Sequence, residues 1–331
     1  MSWSLFRRGD SAWDAVVSEH APHSPFQSSS WSTFRAVDGW TPVRLATADS
    51  TSAVQFLVKQ KSKHFTIGWS AGGLLGSFTA EQLSQLPGAM QEILDSRLSY
   101  LRISDFGVLR PEGETLYHDA GWEKCRFAIS SSNTLIRQLS TDLEVIRTTY
   151  SANWSRNLRR GEQRQIRCEQ WKSPDYQLMA DIYNEVVDLK KSFRADWRAD
   201  PNRLSQFVES FGDALYLVRA TSPDGTTLAY RAAVTFGTVG FDILAATRHE
   251  GRKCYASHVA THGLLELLGR AGCTRYDFGG VDRNNNSGVY NFKHGAGGSD
   301  HRYMGEWHIS IPKPARRLIE RVIKHSLSQG R

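Results

Sequence analysis

At 331 residues with a formal charge of +7, the chain is long for one hydrophobic core, leaves one large domain or two of ordinary size open, and has a surface suited to an anionic partner or substrate. The composition is that of a globular protein. Four widely spaced cysteines exclude a CxxC-type zinc site and argue against a disulfide framework. With neither a signal-peptide pattern nor an apolar run of membrane-spanning length, the expected location is the cytoplasm.

In chain order, residues 11–19 read as a short helix with Trp13, Val16 and Val17 inward. Residues 30–37 form a second helix in which Trp31 and Phe34 share a face while Arg35 points elsewhere. Residues 40–46 and 52–59 alternate as paired strands, and Lys59, Lys61 and Lys63 read as a solvated basic turn. A strand at 65–68 and a glycine-rich turn at 69–76 follow. Thr79 then caps a helix with Gln82 three residues on, and Leu83, Leu86, Met90, Ile93 and Leu94 recur at helical spacing. Pro87 and Gly88 should kink or split that helix. Residues 100–103 return to strand, and Asp105 sits just past its end, where a carboxylate either faces a cleft or caps a turn. Residues 111–124 read as turns, and 135–139 give few signals.

The second half opens with a strand, or the end of one, at 143–149. A short helix follows over 151–161, SANWSRNLRRG. Arg156 and Arg160 are four apart and share a face, suited to gripping phosphate, whereas Arg159 and Arg164 read as solvated. An amphipathic helix spans 173–190, with Met179, Ile182, Val186 and Leu189 as its buried stripe, and another spans 201–211. Strands at 214–220, 227–235 and 238–245 form an antiparallel meander, turned at Pro223-Asp224-Gly225 and at Gly237. A helix at 255–270 stops at Gly272, and a strand at 274–278 leads into YDFGGVDRNNNSGVYNFKHGAGG, residues 276–298. In that stretch the strand breaks at Gly279-Gly280, a polar turn carries Asp282, and a strand resumes at 289–292 with Lys293 beside Phe292. A strand ending in glycines next to one cation suits gripping a ligand by backbone and charge. Residues 304–310 are a last strand and 313–326 a basic amphipathic helix.

The run RYDFGGVD, the later VYNFKHGAGG, the basic NWSRNLRR and the early PFQSSSWSTFR together resemble the Fem aminoacyltransferase family. The resemblance covers nearly the whole chain and is weak from 43 to 139. It implies an α/β fold with mixed α+β sheets, built as two tandem GNAT-like acyltransferase domains with a cleft. No helical pair long enough for a coiled-coil arm is evident. The expected first domain is 1–148, acceptor-binding and completed by the C-terminal helix 311–331; the expected donor-binding domain is 149–310.

The resemblance further implies an aminoacyl-tRNA co-substrate, no other cofactor, and an anionic amine-bearing acceptor such as a nucleotide- or lipid-linked peptidoglycan precursor. Lys293 matches the family lysine at the donor ester, and Asp105 a first-domain carboxylate. Arg35 matches the cation for acceptor phosphate, with Arg156 or Arg160 as its second-domain partner. Tyr276, Tyr290, Phe292 and Asp282 complete the expected substrate contacts. Neither a Ser-His-Asp or Cys-His arrangement nor a metal cluster is expected, and His258 and His262 read as ordinary helix residues. Ala296 in KHGAGG departs from the family's phenylalanine. The alternative on the same fold is an acyl-CoA-dependent N-acyltransferase. Its pyrophosphate loop would correspond to residues 249–253, which carry the single glycine Gly251.

Overall fold

The computed structural model describes residues 3–21, 23–49, 51–62, 64–189, 198–312 and 319–321. It divides into two compact units. The first comprises residues 1–133 and 301–329, and the second residues 134–300. The changeovers thus fall at 133/134 and 300/301, against 148/149 and 310/311 expected from the sequence. The expected helix at 313–326 lies outside the described residues except for 319–321, which are helical.

The chain begins with β1 (Trp3–Leu5), α1 (Asp10–Glu19), α2 (Ser29–Ala36), β2 (Thr41–Thr47), β3 (Ser52–Ser62), β4 (Phe65–Ala71) and β5 (Leu75–Gly76). Next come α3 (Ala80–Leu94), β6 (Leu98–Val108), α4 (Pro111–Asp119) and β7 (Glu123–Lys124). The second unit contains β8 (Asn133–Gln138), α5 (Leu143–Thr148), α6 (Ala152–Gln163), β9 (Arg167–Gln170), α7 (Tyr176–Leu189), α8 (Pro201–Phe211), β10 (Leu215–Thr221) and β11 (Thr227–Phe236). It ends with β12 (Val239–Thr247), α9 (His249–Lys253), α10 (Ala256–Arg270), β13 (Arg275–Gly280) and α11 (Ser287–Gly295). The last strand, β14 (Ser299–Ile311), belongs to the first unit from His301 onward.

Both units use one strand plan. In the first, β2, β3 and β4 form an antiparallel meander, and α3 carries the chain over to β6, parallel to β4. In the second, β10, β11 and β12 form the meander, and α9 and α10 carry it to β13, parallel to β12. One antiparallel strand extends each plan on both sides: β1 and β14 in the first unit, β9 and β8 in the second. A parallel pair needs such a crossover, which is why a long amphipathic helix stands at this point in each half.

The core of the second unit lies on both faces of its sheet. Ala229 and Ala233 of β11 pack with Trp154 and Leu158 of α6 and Leu264 and Leu268 of α10. Tyr230 and Ala232 point the other way, toward Met179 and Ile182 of α7 and Leu204 of α8. This period-two division explains why β11 reads as an almost unbroken apolar run. Arg231, between them, shares the α6–α10 face.

Four expectations are corrected. The segment 289–292 is part of helix α11, not a strand; docking of Tyr290 into the core outweighs the β propensity of Val289 and Tyr290. Residues 143–148 are helix α5, capped by the Asp142 carboxylate on the Glu144 N–H. Residues 111–119 are helix α4, opened by Pro111 at the first helical position. Helix α3 runs unbroken through Pro87, held by the Thr79–Gln82 capping box and the buried Leu83, Leu86 and Met90. None of the helices in the described residues is long and apolar enough to cross a membrane.

Candidate active site

In the second unit, the parallel pairing of β12 with β13 covers only three residue pairs, Val239–Phe241 with Arg275–Asp277. Beyond it the two strands follow different partners, and β13 ends in Phe278, Gly279 and Gly280. Gly279 adopts φ +69°, which a glycine accommodates without strain. The turn is held from within: the Gly279 N–H donates to Asp277 Oδ1 at 2.8 Å, and Thr134 Oγ1 donates to the Gly279 carbonyl at 3.1 Å.

This turn aims three consecutive carbonyls at one side chain. Lys293 Nζ, from α11, donates to the carbonyls of Phe278 at 2.5 Å, Gly279 at 3.5 Å and Gly280 at 3.1 Å. The ammonium is half-buried. Burial lowers its pKa, Asp242 and Asp277 oppose that shift, and Arg231 adds to it. A cation so placed suits stabilising negative charge that develops on a bound carbonyl oxygen.

Beneath it lies a buried ion pair absent from the sequence-based expectations. Arg231 Nη2 pairs with Asp242 Oδ2, and both side chains are more than nine-tenths buried. Arg231 Nη1 also donates to Thr261 Oγ1 at 3.2 Å, and its guanidinium carbon lies 5.8 Å from the Phe292 ring centroid. Asp242 stands opposite Ala233 because a β-bulge between Ala232 and Ala233 shifts the register. The bulge turns the carboxylate to the face of Arg231. A lone Arg within TLAYRAAVTF was the available signal.

Residues 202–324 match the FemAB family. That match lies mostly in the second unit. Over 161 residues it is 22% identical to the lipid II:glycine glycyltransferase of Staphylococcus saprophyticus subsp. saprophyticus, a match spanning 44% of this chain and 39% of that protein. The chain therefore aligns with about two-fifths of that relative's length. In fold it resembles a crystal structure of FemX, with a TM-score of 0.83 at 15% identity, over 96% of this chain and 100% of that one. It also resembles a tandem GNAT protein from the clavulanic acid biosynthesis pathway, with a TM-score of 0.53 at 11% identity, over 93% and 98% of the two chains. The fold is thus a mixed α/β fold of the FemX and GNAT type.

The expected site residues divide into three groups. Lys293 and Phe292 stand at the glycine-broken end of β13, where Phe292 packs against His258 at 5.0 Å and Trp154 at 6.0 Å. Arg156 and Arg160 are exposed on α6, and Arg160 Nη1 donates to the Tyr255 hydroxyl at 3.1 Å. In the first unit, Arg35 pairs with Asp38 at 3.3 Å. There Asp105 accepts from the Gly107 N–H at 2.8 Å and from the Tyr117 hydroxyl at 2.9 Å. Burial raises the Asp105 pKa, and the carboxyl lines a cavity of about 420 Å³ with Phe78, Arg110, Tyr117 and Met304.

Three further expected contacts make hydrogen bonds within the protein. Tyr276 is fully buried, its hydroxyl 3.5 Å from Arg231 Nε, so it forms part of the core beneath the site. Tyr290 is buried and donates to Asp300 Oδ2 at 2.7 Å. Asp282 closes the asparagine turn, accepting from the N–H groups of Asn284 and Asn285 at 3.0 and 2.9 Å. One cluster of metal-ligating type that was not expected occurs in the first unit. Cys125, His308 and Glu320 hold ligand atoms within 4.8 Å of one another. Among their contacts, His308 Nδ1 lies 3.1 Å from the Tyr100 hydroxyl, and Glu320 accepts from the Arg126 N–H at 3.3 Å.

His258 and His262 titrate far from their ordinary value. Burial pushes His258 down to about 4, and burial with Arg147 and Arg137 does the same to His262. The unfolded chain binds these protons near pH 6.5, the folded chain only near 4. Their contribution is therefore full above about 6.5 and falls as the pH drops toward 4. Urea unfolding should show a lower midpoint at pH 5 than at pH 7, and His258→Gln should narrow the gap. Equal gaps in the two proteins would contradict this role for His258.

Proposed function

We propose that the protein is an aminoacyltransferase that moves an amino acid from aminoacyl-tRNA to an amine of a cell-wall precursor, acting in the cytoplasm. The observation that carries this reading is Lys293. It is a half-buried ammonium at the glycine-broken end of β13, beside Phe292, inside the part of the chain that matches the FemAB family.

In the proposed reaction the acceptor amine attacks the carbonyl carbon of the ester joining the amino acid to tRNA. Charge collecting on the carbonyl oxygen is stabilised by Lys293. The ester C–O bond breaks, the ribose oxygen leaves and takes a proton, and the amine loses a proton as the amide forms. Asp105, whose carboxyl is made more basic by burial, is the proposed catalytic carboxylate of the first unit. Arg35 would hold acceptor phosphate, with Arg156 or Arg160 as the second cation. The relative named as a lipid II:glycine glycyltransferase supports a lipid-linked acceptor.

One observation favours tRNA over acyl-CoA as donor. In the alternative reading, backbone N–H groups at residues 249–253 would cradle a pyrophosphate. Here the first of them, on His249, donates to Glu185 Oε1 at 2.7 Å. A protein carboxylate therefore already takes that N–H group. The test supplies purified protein and an amine acceptor with a pool of labelled aminoacyl-tRNAs, in parallel with labelled acetyl-CoA. Amide formation from the tRNA pool is expected; transfer from acetyl-CoA alone would refute the donor assignment.

A further inference from the structure

Cys125, His308 and Glu320 reach one point of the first unit from three separate stretches of sequence. Cys125 follows the short strand β7, and its N–H donates to the Glu306 carbonyl at 2.8 Å, which lays it alongside β14. His308 is on β14 itself, paired with Arg102 of β6 and with Glu123 of β7. Glu320 comes from the helical turn at 319–321. A sulfur, a ring nitrogen and a carboxylate oxygen from these three all lie within 4.8 Å of one another.

The pleat of the sheet explains the meeting. Ser310 pairs with Tyr100, His308 with Arg102 and Glu306 with Ser104. Tyr100, Arg102, Glu306 and His308 therefore share one face, while Leu101, Ile103 and Trp307 fill the apolar core on the other. Cys125, bonded to the backbone of Glu306, joins the polar face. There the Arg102 guanidinium is neutralised by the Glu306 carboxylate. The thiol, the imidazole and the Glu320 carboxylate form a second group beside that pair. His308 Nδ1 stands 3.6 Å from Glu320 Oε1 and 3.1 Å from the Tyr100 hydroxyl. The Tyr100 and His308 rings meet edge to face at 5.7 Å, which fixes the plane of the imidazole.

Thiolate, imidazole and carboxylate are the protein ligands of zinc, at about 2.3, 2.0–2.1 and 2.0–2.2 Å. In a tetrahedron those bond lengths set the ligand atoms roughly 3.3–3.7 Å apart. The separation of His308 from Glu320 already meets that requirement. One thiolate and one carboxylate also supply the two negative charges that balance a divalent cation, since Arg102 is already paired. Sulfur and nitrogen donors select against magnesium and calcium, which take oxygen ligands. We propose that Cys125, His308 and Glu320 bind one divalent transition metal of the zinc class, with water as the fourth ligand. The ion would tie the helical turn at 319–321 to the sheet of the first unit. Binding releases the Cys125 thiol proton to solvent and changes no oxidation state. The proposal does not depend on the transfer reaction.

The experiment strips the full chain with a chelator under reducing conditions and titrates it with zinc against a chromophoric competitor. Cobalt is titrated in parallel as a spectroscopic probe of thiolate ligation. One zinc per chain, a thiolate-to-cobalt charge-transfer band and a higher urea midpoint with zinc are expected, and magnesium should leave the midpoint unchanged. Losing even a hydrogen bond to a ligand typically costs about 10–100-fold in metal affinity, so Cys125→Ala should weaken zinc binding at least ~10-fold. It should also abolish the cobalt band. Glu320→Gln should weaken zinc binding by a similar factor yet keep the band, because the thiolate remains. Cys254→Ser, in the second unit, should alter neither. Circular dichroism of each stripped variant shows whether it is folded. Zinc uptake no greater in wild type than in Cys125→Ala, a band that survives Cys125→Ala, or a midpoint raised equally by magnesium would each overturn the proposal.

Discussion

Lys293→Ala is expected to lower the rate of amide formation by about 10²–10³-fold, the loss typical of removing one oxyanion donor. The effect should fall on kcat more than on KM, because the charge that Lys293 meets develops only as the ester carbonyl is attacked. The variant should remain folded. The carbonyls of Gly279 and Gly280 stand at a partly exposed strand end, where water can replace the ammonium. A stability loss of about 1–3 kcal/mol is the upper range for leaving such groups without their partner. Circular dichroism with single-turnover kinetics separates the two effects. Wild-type transfer should also fall as the pH rises through a lysine pKa lowered by burial, and this limb should be missing from the residual activity of the variant. Unchanged turnover in Lys293→Ala would remove the residue from the mechanism.

The largest stability effect is expected in the first unit, at Glu306→Ala. The Glu306 carboxylate accepts from Arg102 Nε at 2.8 Å and also pairs with Arg102 Nη2. It accepts as well from the N–H groups of Ile129 at 3.0 Å and Ser130 at 2.7 Å. The Arg102 and Glu306 side chains are 3% and 2% exposed, so Glu306→Ala would strand a guanidinium in the core. Breaking such a pair typically costs about 3–5 kcal/mol, a large share of the roughly 5–15 kcal/mol that holds a domain folded. The double substitution Arg102→Met, Glu306→Leu should cost much less, because no charge is left without a partner. Urea unfolding of the three proteins checks this order. A Glu306→Ala midpoint equal to that of wild type would contradict it.

These two residues also illustrate how much the sequence discloses. Helix α10 and the β10–β12 meander are legible, because Val259, Ala260, Leu264 and Leu268 recur at helical spacing and Pro223-Asp224-Gly225 marks the turn. The glycine-broken end of β13 and the basic residue after Phe292 are legible as a ligand site in type. The route that brings Lys293 to that end is not, since the intervening α11 contains Val289 and Tyr290 and has the local look of a strand. The Arg231–Asp242 and Arg102–Glu306 pairs join different strands, one through a β-bulge and the other across 204 positions of sequence, so local periodicity carries no trace of either partner. The contact of Lys59 with Trp40 is hidden for the same reason: Trp40 lies on another strand's approach. Tyr276 shows the converse case. It lies in the most informative motif, yet it alternates inward and belongs to the core.

The central claim is that an amine takes an amino acid directly from the tRNA ester under the influence of Lys293. It is tested most directly by a single-turnover reaction with doubly labelled aminoacyl-tRNA, one label on the amino acid and one at the tRNA 3′ end, with an amine acceptor. The account predicts one labelled amide for each tRNA 3′ hydroxyl released, dependent on the acceptor and slowed by Lys293→Ala. An ester that stays intact while acetyl-CoA acylates the same acceptor would contradict it.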